Sequence, residues 1–495
     1  MPRSFPLSSA LLFALLAVCG CTVGGGETES TVERPNVLFL FADDHRSDAI
    51  GAYGNPYIHT PHLDSLVRAG FNFREAHIMG SHHGAVCAPS RAMLMSGREL
   101  YHVYDDLDTV RTFPQQMRED GYVTFGTGKW HQSGEAFAKS FSRGKHVFLG
   151  GMSDHFNVPV RDLLPDGSFT EVDSAGFSST LFAEATIGFL NDYASSDTTA
   201  PFLAYTSFTA PHDPRTPPEE YVEMYDGAGM PLPPSFKPLH PFNLGPGTLT
   251  LRDEQLAPWP RTPEVVRSQI AEYYGLISHM DAQIGRILDA LRANGLAENT
   301  IVVFAGDNGL AVGSHGLLGK QSLYEHSTRV PLLVSGPGVP HGESDALVTL
   351  YDLAPTLLEL TGSEPLPRMD GTNVAPIWRG QRDAVREMLY TAYGENQRAI
   401  RGERWKLIYY PKIDHTQLFD LRRDPYELWN RAGTPEASSV QTRLRDSLEV
   451  YHRRADDPNA LSPEESLPFR FDYSRAERSP DRHQPASVVE KYFSN

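Results

Sequence analysis

Cysteine is nearly absent from this chain. Three occur in 495 residues, Cys19, Cys21 and Cys87, and only Cys87 lies beyond the N-terminal segment. The body therefore cannot be stapled by internal disulfides, and its stability must come from a buried core. Positive charge is also in deficit. Lys plus Arg number 44 against 62 Asp plus Glu, a formal charge of −18. That balance argues against non-specific binding to nucleic acid, although a local cluster of Lys, Arg and His can still reverse the field in one cleft. Internal repeats are lacking. An apolar run at the N-terminus, Ala10–Val18, is too short to span a bilayer as a stable helix.

What is present is an ordinary globular composition, 40% hydrophobic and 21% charged. The length suits one large domain with an appendage, or two domains. Arg3, the apolar run and the small residues after it read as an export signal. The segment "VCGC", with Gly20 before Cys21, resembles a bacterial lipobox, which implies acylation at Cys21. A plain secretory signal cleaved nearby is the alternative. Residues 1–21 are thus expected to be a signal peptide and 22–34 a flexible polar tether. The protein is expected outside the cytoplasm, periplasmic or at the cell surface, with a lipid on Cys21 as its sole membrane attachment.

Four apolar stretches end in polar groups. "NVLFLFADD" ends in Asp43 and Asp44, and "TIVVFAGDNG" carries Asp307 and Asn308. "GYVTFGTGKWH" ends in Lys129 and His131, and "PFLAYTSFTAPHDP" reaches His212. Strands apolar on both faces are buried on both faces, as in a central parallel sheet, and such sheets bind ligands at their carboxyl edge. Helical patterns alternate with them, at His62–Gly70 and most clearly at Val265–Gly295. The sum is an α/β fold with a mostly parallel sheet flanked by helices. Two segments break the rhythm. Asp226–Pro263 is dense in proline and reads as a long surface insertion that walls a cleft. From about Ala384, short aromatic runs predict a small subdomain on an antiparallel sheet, with a polar tail after Ala460 that wraps the surface. The boundaries drawn are 35–383 and 384–495.

Asp43, Asp44, Asp307 and Asn308 are hard oxygen donors, suited to Ca²⁺ or Mg²⁺ rather than Zn²⁺. Either pair alone can simply start a turn. Two pairs, each closing an apolar strand, favour a metal. Arg91, Lys129, Lys320, His131 and His212 together suit a tetrahedral anion whose charge the cations share. Cys87 has two readings from the residues alone. It is a buried filler thiol, or a thiolate at the start of the helix predicted over "SRAMLMSG", whose N-terminus would lower its pKa.

A third reading comes from resemblance. "CAPSRAMLMSGR", Cys87 to Arg98, resembles the signature of the type I sulfatases. The similarity continues through "PNVLFLFADDHRSD", "GKWH", "FTAPHDP", "GDNG" and "GKQSLYEHSTRVPLLVSGPG" in the family's order, from about Pro35 to Gly433. It implies an alkaline-phosphatase-like fold and conversion of Cys87 to formylglycine by a maturation enzyme. It also implies Ca²⁺ held by Asp43, Asp44, Asp307 and Asn308, with the modified Cys87 close to the ion. Arg91 would support the aldehyde hydrate, Lys129, His212 and Lys320 would contact sulfate, and His131 would work with the modified residue. The chain departs from the family pattern at Gln132 and Ser133, and His82, His83 and His315 flank the motifs without an assigned role. The expected activity is hydrolysis of a sulfate ester on a sulfated sugar or polysaccharide. The alternatives are a phosphonate or phosphate ester hydrolase of the same superfamily, or a non-catalytic anion- or glycan-binding lipoprotein with an unmodified thiol.

Overall fold

The computed structural model describes residues 34–174, 176–462, 466–476 and 479–494. The signal and tether expected at 1–33 lie outside them. Nine strands form the main sheet, in the order Gly342–Ser344, Phe71–Phe73, Leu332–Ser335, Thr300–Gly306, Asn36–Ala42, Phe202–Ser207, Val123–Lys129, Arg143–Phe148 and Arg161–Leu163. The five strands from Thr300–Gly306 to Arg143–Phe148 are mutually parallel. Asn36–Ala42 lies at the centre with every residue buried, as its unbroken apolar run requires.

Both faces of the sheet are covered. On one, Leu38, Leu40 and Phe304 pack with Leu276, Met280 and Ile284 of the helix Pro263–Ala293. On the other, Val37, Phe39 and Phe41 pack with Phe113, Met117 and Tyr205. The alternation of one strand's side chains thus feeds two separate cores. The long helix starts two residues ahead of its sequence-predicted position. Thr262 caps it by accepting the Val265 N–H, and Pro263 takes the first turn, where a missing N–H costs nothing.

The C-terminal sheet is antiparallel through His415–Asp420, Trp405–Tyr410, Gln397–Gly402 and Met388–Tyr393. Its last neighbour is Gly80–Ser81, a two-residue strand from just before Cys87, paired in parallel with Ala392 and Tyr393. The proline-rich segment corrects an expectation. It is no surface excursion, because Leu244, Leu249, Leu256, Trp259 and Arg261 are buried. Of its short 3₁₀ turns, Thr248–Thr250 and Arg252–Leu256, the second presses against the loop that carries Lys320. Among the described residues no helix is long and apolar enough to cross a membrane.

Candidate active site

Asp43 and Asp44 follow the central strand, Lys129 ends its neighbour but one, and Asp307 and Asn308 follow the strand Thr300–Gly306. All lie at the carboxyl edge of the parallel sheet. Successive side chains on a strand point oppositely, so Asp43 and Asp44 could not share a site if both were extended. The chain resolves this at Asp44, whose φ of 66° breaks the alternation. That turn is held by the Tyr273 hydroxyl, which donates to the Asp44 carbonyl at 2.6 Å, and by Asp307 Oδ1, which accepts the Asp44 N–H at 2.9 Å.

Cys87 opens the helix Cys87–Ser96, all of whose residues are buried. Gly97, with φ 67°, closes it by donating its N–H to the Met93 carbonyl. The Cys87 Sγ lies 3.2 Å from His131 Nδ1, 3.4 Å from Lys129 Nζ and 3.8 Å from Lys320 Nζ. Lys129 donates to Asp43 Oδ2 at 2.5 Å and Lys320 to Asp44 Oδ1 at 2.6 Å. Arg91, one helical turn beyond Cys87, donates to Asp307 Oδ2 at 2.9 Å, to the Lys129 carbonyl at 2.8 Å and to Ser207 Oγ at 2.6 Å. His212 places Nε2 3.8 Å from Asp44 Oδ2, and its Nδ1 lies 2.8 Å from the Asp213 carbonyl. Every sequence-predicted site residue therefore converges: Asp43, Asp44, Cys87, Arg91, Lys129, His131, His212, Asp307, Asn308 and Lys320.

Two glycines make the approach feasible. Gly128 has φ 83°, and a Cβ there would collide with the Ser207 carbonyl of the adjacent strand. Gly151 lets the His131 imidazole lie against the backbone where any side chain would meet its Nε2.

The electrostatics set charges of both signs against one another. Three carboxylates, Asp43, Asp44 and Asp307, face three cations, Arg91, Lys129 and Lys320, all buried. Asp43 Oδ1, Asp44 Oδ2 and Asn308 Oδ1 are buried acceptors without a partner, and Arg91 Nη2 is a donor without one. Burial, together with Asp307, Cys87 and Asp44, drives the Asp43 carboxyl well above its ordinary range despite Lys129. Burial opposes ionisation of Asp307 too, but Arg91, Lys129 and Lys320 prevail and hold it at about 2. Burial and then the three cations push His131 down to about 2, so its imidazole is neutral. His212 is lowered by burial and Lys320. A hard divalent cation fits this donor set, because it would supply the charge and the contacts the orphaned oxygens lack.

The remaining histidines separate. His83 Nε2 pairs with Asp105 Oδ2 at 2.5 Å at the rim of the site, and His82 Nε2 lies 3.5 Å from Asp105 Oδ1. His315 is not brought in. Its ring stacks on Tyr324 at 3.9 Å and lines a separate polar cavity of about 350 Å³. Gln132 points inward and donates to the Ala88 carbonyl, tying the segment after the strand Val123–Lys129 to the Cys87 helix.

Sequence reasoning missed the supports. Glu254 accepts the N–H groups of Leu318 and Gly319 and pairs with Arg261 at 2.9 Å, which fixes the loop leading to Lys320. Asp213 takes both terminal nitrogens of Arg252, at 2.5 and 3.2 Å. Only the adjacency of Asp213 to His212 offered a signal.

A doubly wound sheet that gathers carboxylates, cations and a helix-start thiol at its carboxyl edge defines a hydrolase of the alkaline-phosphatase-like fold. The comparisons with known proteins name the family within that fold. Residues 35–363 match the sulfatase family, and residues 313–454 match the region described as N-sulphoglucosamine sulphohydrolase, C-terminal. The chain belongs to the sulfatase family and is a sulfuric ester hydrolase. It is 26% identical to an N-acetylglucosamine-6-O-sulfatase of Bacteroides thetaiotaomicron, with 94% of each chain covered. It is 27% identical to an ulvan-active sulfatase of Formosa agariphila, over 90% of this chain and 86% of that one. A solved structure bound to its substrate D-glucosamine-2-N,6-O-disulfate superposes with a TM-score of 0.73, at 22% identity, over 87% of this chain and all of the other. A phosphonate monoester hydrolase of Agrobacterium radiobacter has the same fold, with a TM-score of 0.68 at 22% identity, over 85% of this chain and 96% of the other.

Proposed function

We propose that this sulfatase removes sulfate from a sulfated sugar or polysaccharide outside the cytoplasm, using a formylglycine made from Cys87 and a bound Ca²⁺. The observation that carries the reading is the ring of unpartnered oxygens on Asp43, Asp44 and Asn308 beside Cys87, Lys129 and Lys320. The carbohydrate rests on the named activities of the relatives, N-acetylglucosamine-6-O-sulfatase and ulvan-active sulfatase.

Asp43, Asp44, Asp307 and Asn308 would hold the cation, with residue 87 beside it; Mg²⁺ would suit the same oxygens. When bound, the ion neutralises charge on the sulfuryl oxygens. An aldehyde hydrate at position 87 supplies two hydroxyls on one carbon, one to take the sulfuryl group and one to expel it. The protein's own groups do the rest. Lys129 and Lys320 receive the anion, and Arg91 Nη2 is free to donate to the hydrate. As the first hydroxyl at position 87 bonds to sulfur its proton would pass to the neighbouring Asp43 carboxylate, the S–O bond to the sugar would break, and His212 or Lys320 would give a proton to the leaving alcohol oxygen. His131, held neutral and 3.2 Å from residue 87, would then take the proton of the second hydroxyl, the C–O bond to sulfate would break, and the carbonyl would re-form. Water restores the hydrate. A maturation enzyme is the required partner. The signal and the lipid on Cys21 complete the proposal for location.

Two measurements test this. The peptide carrying Cys87 is expected to show the mass of an aldehyde, and a thiol in fully active enzyme overturns the nucleophile. On aldehyde-bearing enzyme, kcat/KM is expected to be higher for a sulfate ester than for the phosphonate ester of the same alcohol. The reverse order would move the protein to the phosphonate hydrolases that share its fold. Cys87→Ala is expected to abolish turnover and leave the fold intact.

A further inference from the structure

We infer that Asp481 and Gln484 of the C-terminal tail, acting through Arg252 and Asp213, are positioning residues for His212 and Lys320; the inference rests on the roles just proposed for those two.

The tail is docked onto the working end of the molecule. Val488 and Tyr492, on the helix Ala486–Phe493, pack with Leu256, Ala257 and Leu318. Tyr492 donates to Glu272 Oε2 at 2.7 Å, and Lys491 pairs with Glu272 at 2.7 Å. The Asp481 N–H reaches the Gln255 carbonyl at 3.3 Å.

From there a polar chain runs inward along two branches. Gln484 Nε2 donates to Asp213 Oδ2 at 3.1 Å. Arg252 Nη1 meets the same oxygen at 2.5 Å and lies 3.5 Å from Asp481 Oδ2. Asp213 in turn holds the His212 ring from below, with its carbonyl 2.8 Å and its carboxylate 3.5 Å from Nδ1. That fixes the ring so that Nε2 faces the anion site. Arg252 Nη2 also donates to Asp253 Oδ1 at 2.6 Å, and Asp253 Oδ2 accepts from Gln321 Nε2 at 2.7 Å. Gln321 takes the Lys320 N–H on its Oε1 at 3.0 Å and donates to the Gly84 carbonyl at 2.9 Å. One guanidinium thus ties together the loops that carry His212, Lys320 and Cys87.

Asp213, Asp253 and Asp481 are all buried, whereas the Arg252 side chain is 27% exposed. Three buried carboxylates on one partly exposed cation do not form an ion pair optimised for stability. They do form a rigid bracket for groups that must be held within tenths of an ångström.

The test uses the full chain with Asp481→Asn, Gln484→Ala and the pair, each normalised to aldehyde content at position 87. Two sulfates are compared, 4-nitrophenyl sulfate and a primary-alcohol sugar sulfate. A nitrophenolate leaves without a proton, whereas a sugar alcohol needs one. Misplaced donors are expected to lower kcat on the sugar sulfate about tenfold or more with KM within about twofold, and kcat on the aryl sulfate far less. Gln484→Glu, which sets a second carboxylate against Asp213, should fall at least as far. Unchanged kcat, or equal losses on both esters in step with the folded fraction, overturns the inference. Aldehyde-bearing wild type that is inactive on both esters would instead overturn the proposed mechanism itself.

Discussion

Replacing Arg91 with methionine isolates the site's electrostatics. Met keeps much of the stem over the Phe41 ring, where the guanidinium carbon now lies 4.9 Å from the centroid. It removes three charge-assisted hydrogen bonds, to Asp307, Ser207 and the Lys129 carbonyl. Asp307, wholly buried, then loses its contacting counterion and keeps only the Asp44 N–H. Breaking one side of such a buried pair costs about 3–5 kcal/mol. The sign of the next step distinguishes the metal reading from a purely structural one. A divalent cation held by Asp307 would return positive charge to it, so the loss should shrink when calcium is added. By linkage, that is the same as saying the variant binds calcium more tightly than wild type. The assay is thermal unfolding of wild type and Arg91→Met at matched concentration, in chelator and in saturating calcium, with calcium affinity measured separately by calorimetry. A large gap in chelator that narrows in calcium is expected. A gap identical in both conditions refutes the proposal that Asp307 faces a cation, and a gap under about 1 kcal/mol refutes the ion-pair argument.

Three further outcomes follow from the same geometry. Calcium at a hundredfold its Kd should stabilise the wild type by about 2.7 kcal/mol, and Asp307→Ala should abolish both that shift and most of the activity; stoichiometric zinc without calcium or magnesium in the purified protein would refute the ligand set. His83 carries a raised pKa, chiefly through its hydrogen bond to Asp105, so the cation persists above the ordinary value and disappears as pH climbs through the raised one. KM for an anionic glycan should therefore rise with pH across that window, and His83→Gln should flatten the rise; an unchanged KM profile in the variant would remove His83 from the substrate path. Gly128→Ala should destabilise by at least about 2 kcal/mol and lower kcat, because the added methyl meets the Ser207 carbonyl at a left-handed φ; near wild-type unfolding and turnover would refute the close strand approach.

The candidate site was legible because each of its parts sits at the end of a strongly patterned stretch. Asp43–Asp44 and Asp307–Asn308 terminate strands buried on both faces, and hydrophobic periodicity locates such strands without any tertiary information. The Cys87 helix announced itself by the pattern of "SRAMLMSG" and by resemblance. What stayed hidden depends on pairings between residues far apart in the chain. Nothing local distinguishes Glu254, which fixes Leu318 and Gly319, from any solvated glutamate in a proline-rich loop. The same proline density suggested a surface insertion, because proline count reports lost backbone donors and not burial. Gly80–Ser81 is too short for any period to register, and its partner lies some 310 residues away. His315 sat two glycines from Lys320 in a suggestive motif, yet the loop turns it onto Tyr324 instead.

The strand Gly80–Ser81 has a consequence in time. Cys87 is 1% exposed, so no second enzyme can reach its thiol in the finished fold. The conversion we propose must come earlier, while the segment is still loose. Its anchor, Met388–Tyr393, is made about 300 residues after Cys87, an interval of roughly 15–60 s at ribosomal rates of about 5–20 residues per second. Until that edge exists, Gly80–Ser81 lacks its strand partner. The order of synthesis thus sets a window for the conversion we propose, and slowing synthesis ahead of Met388, or truncating the chain there, would change how much of it is ever activated.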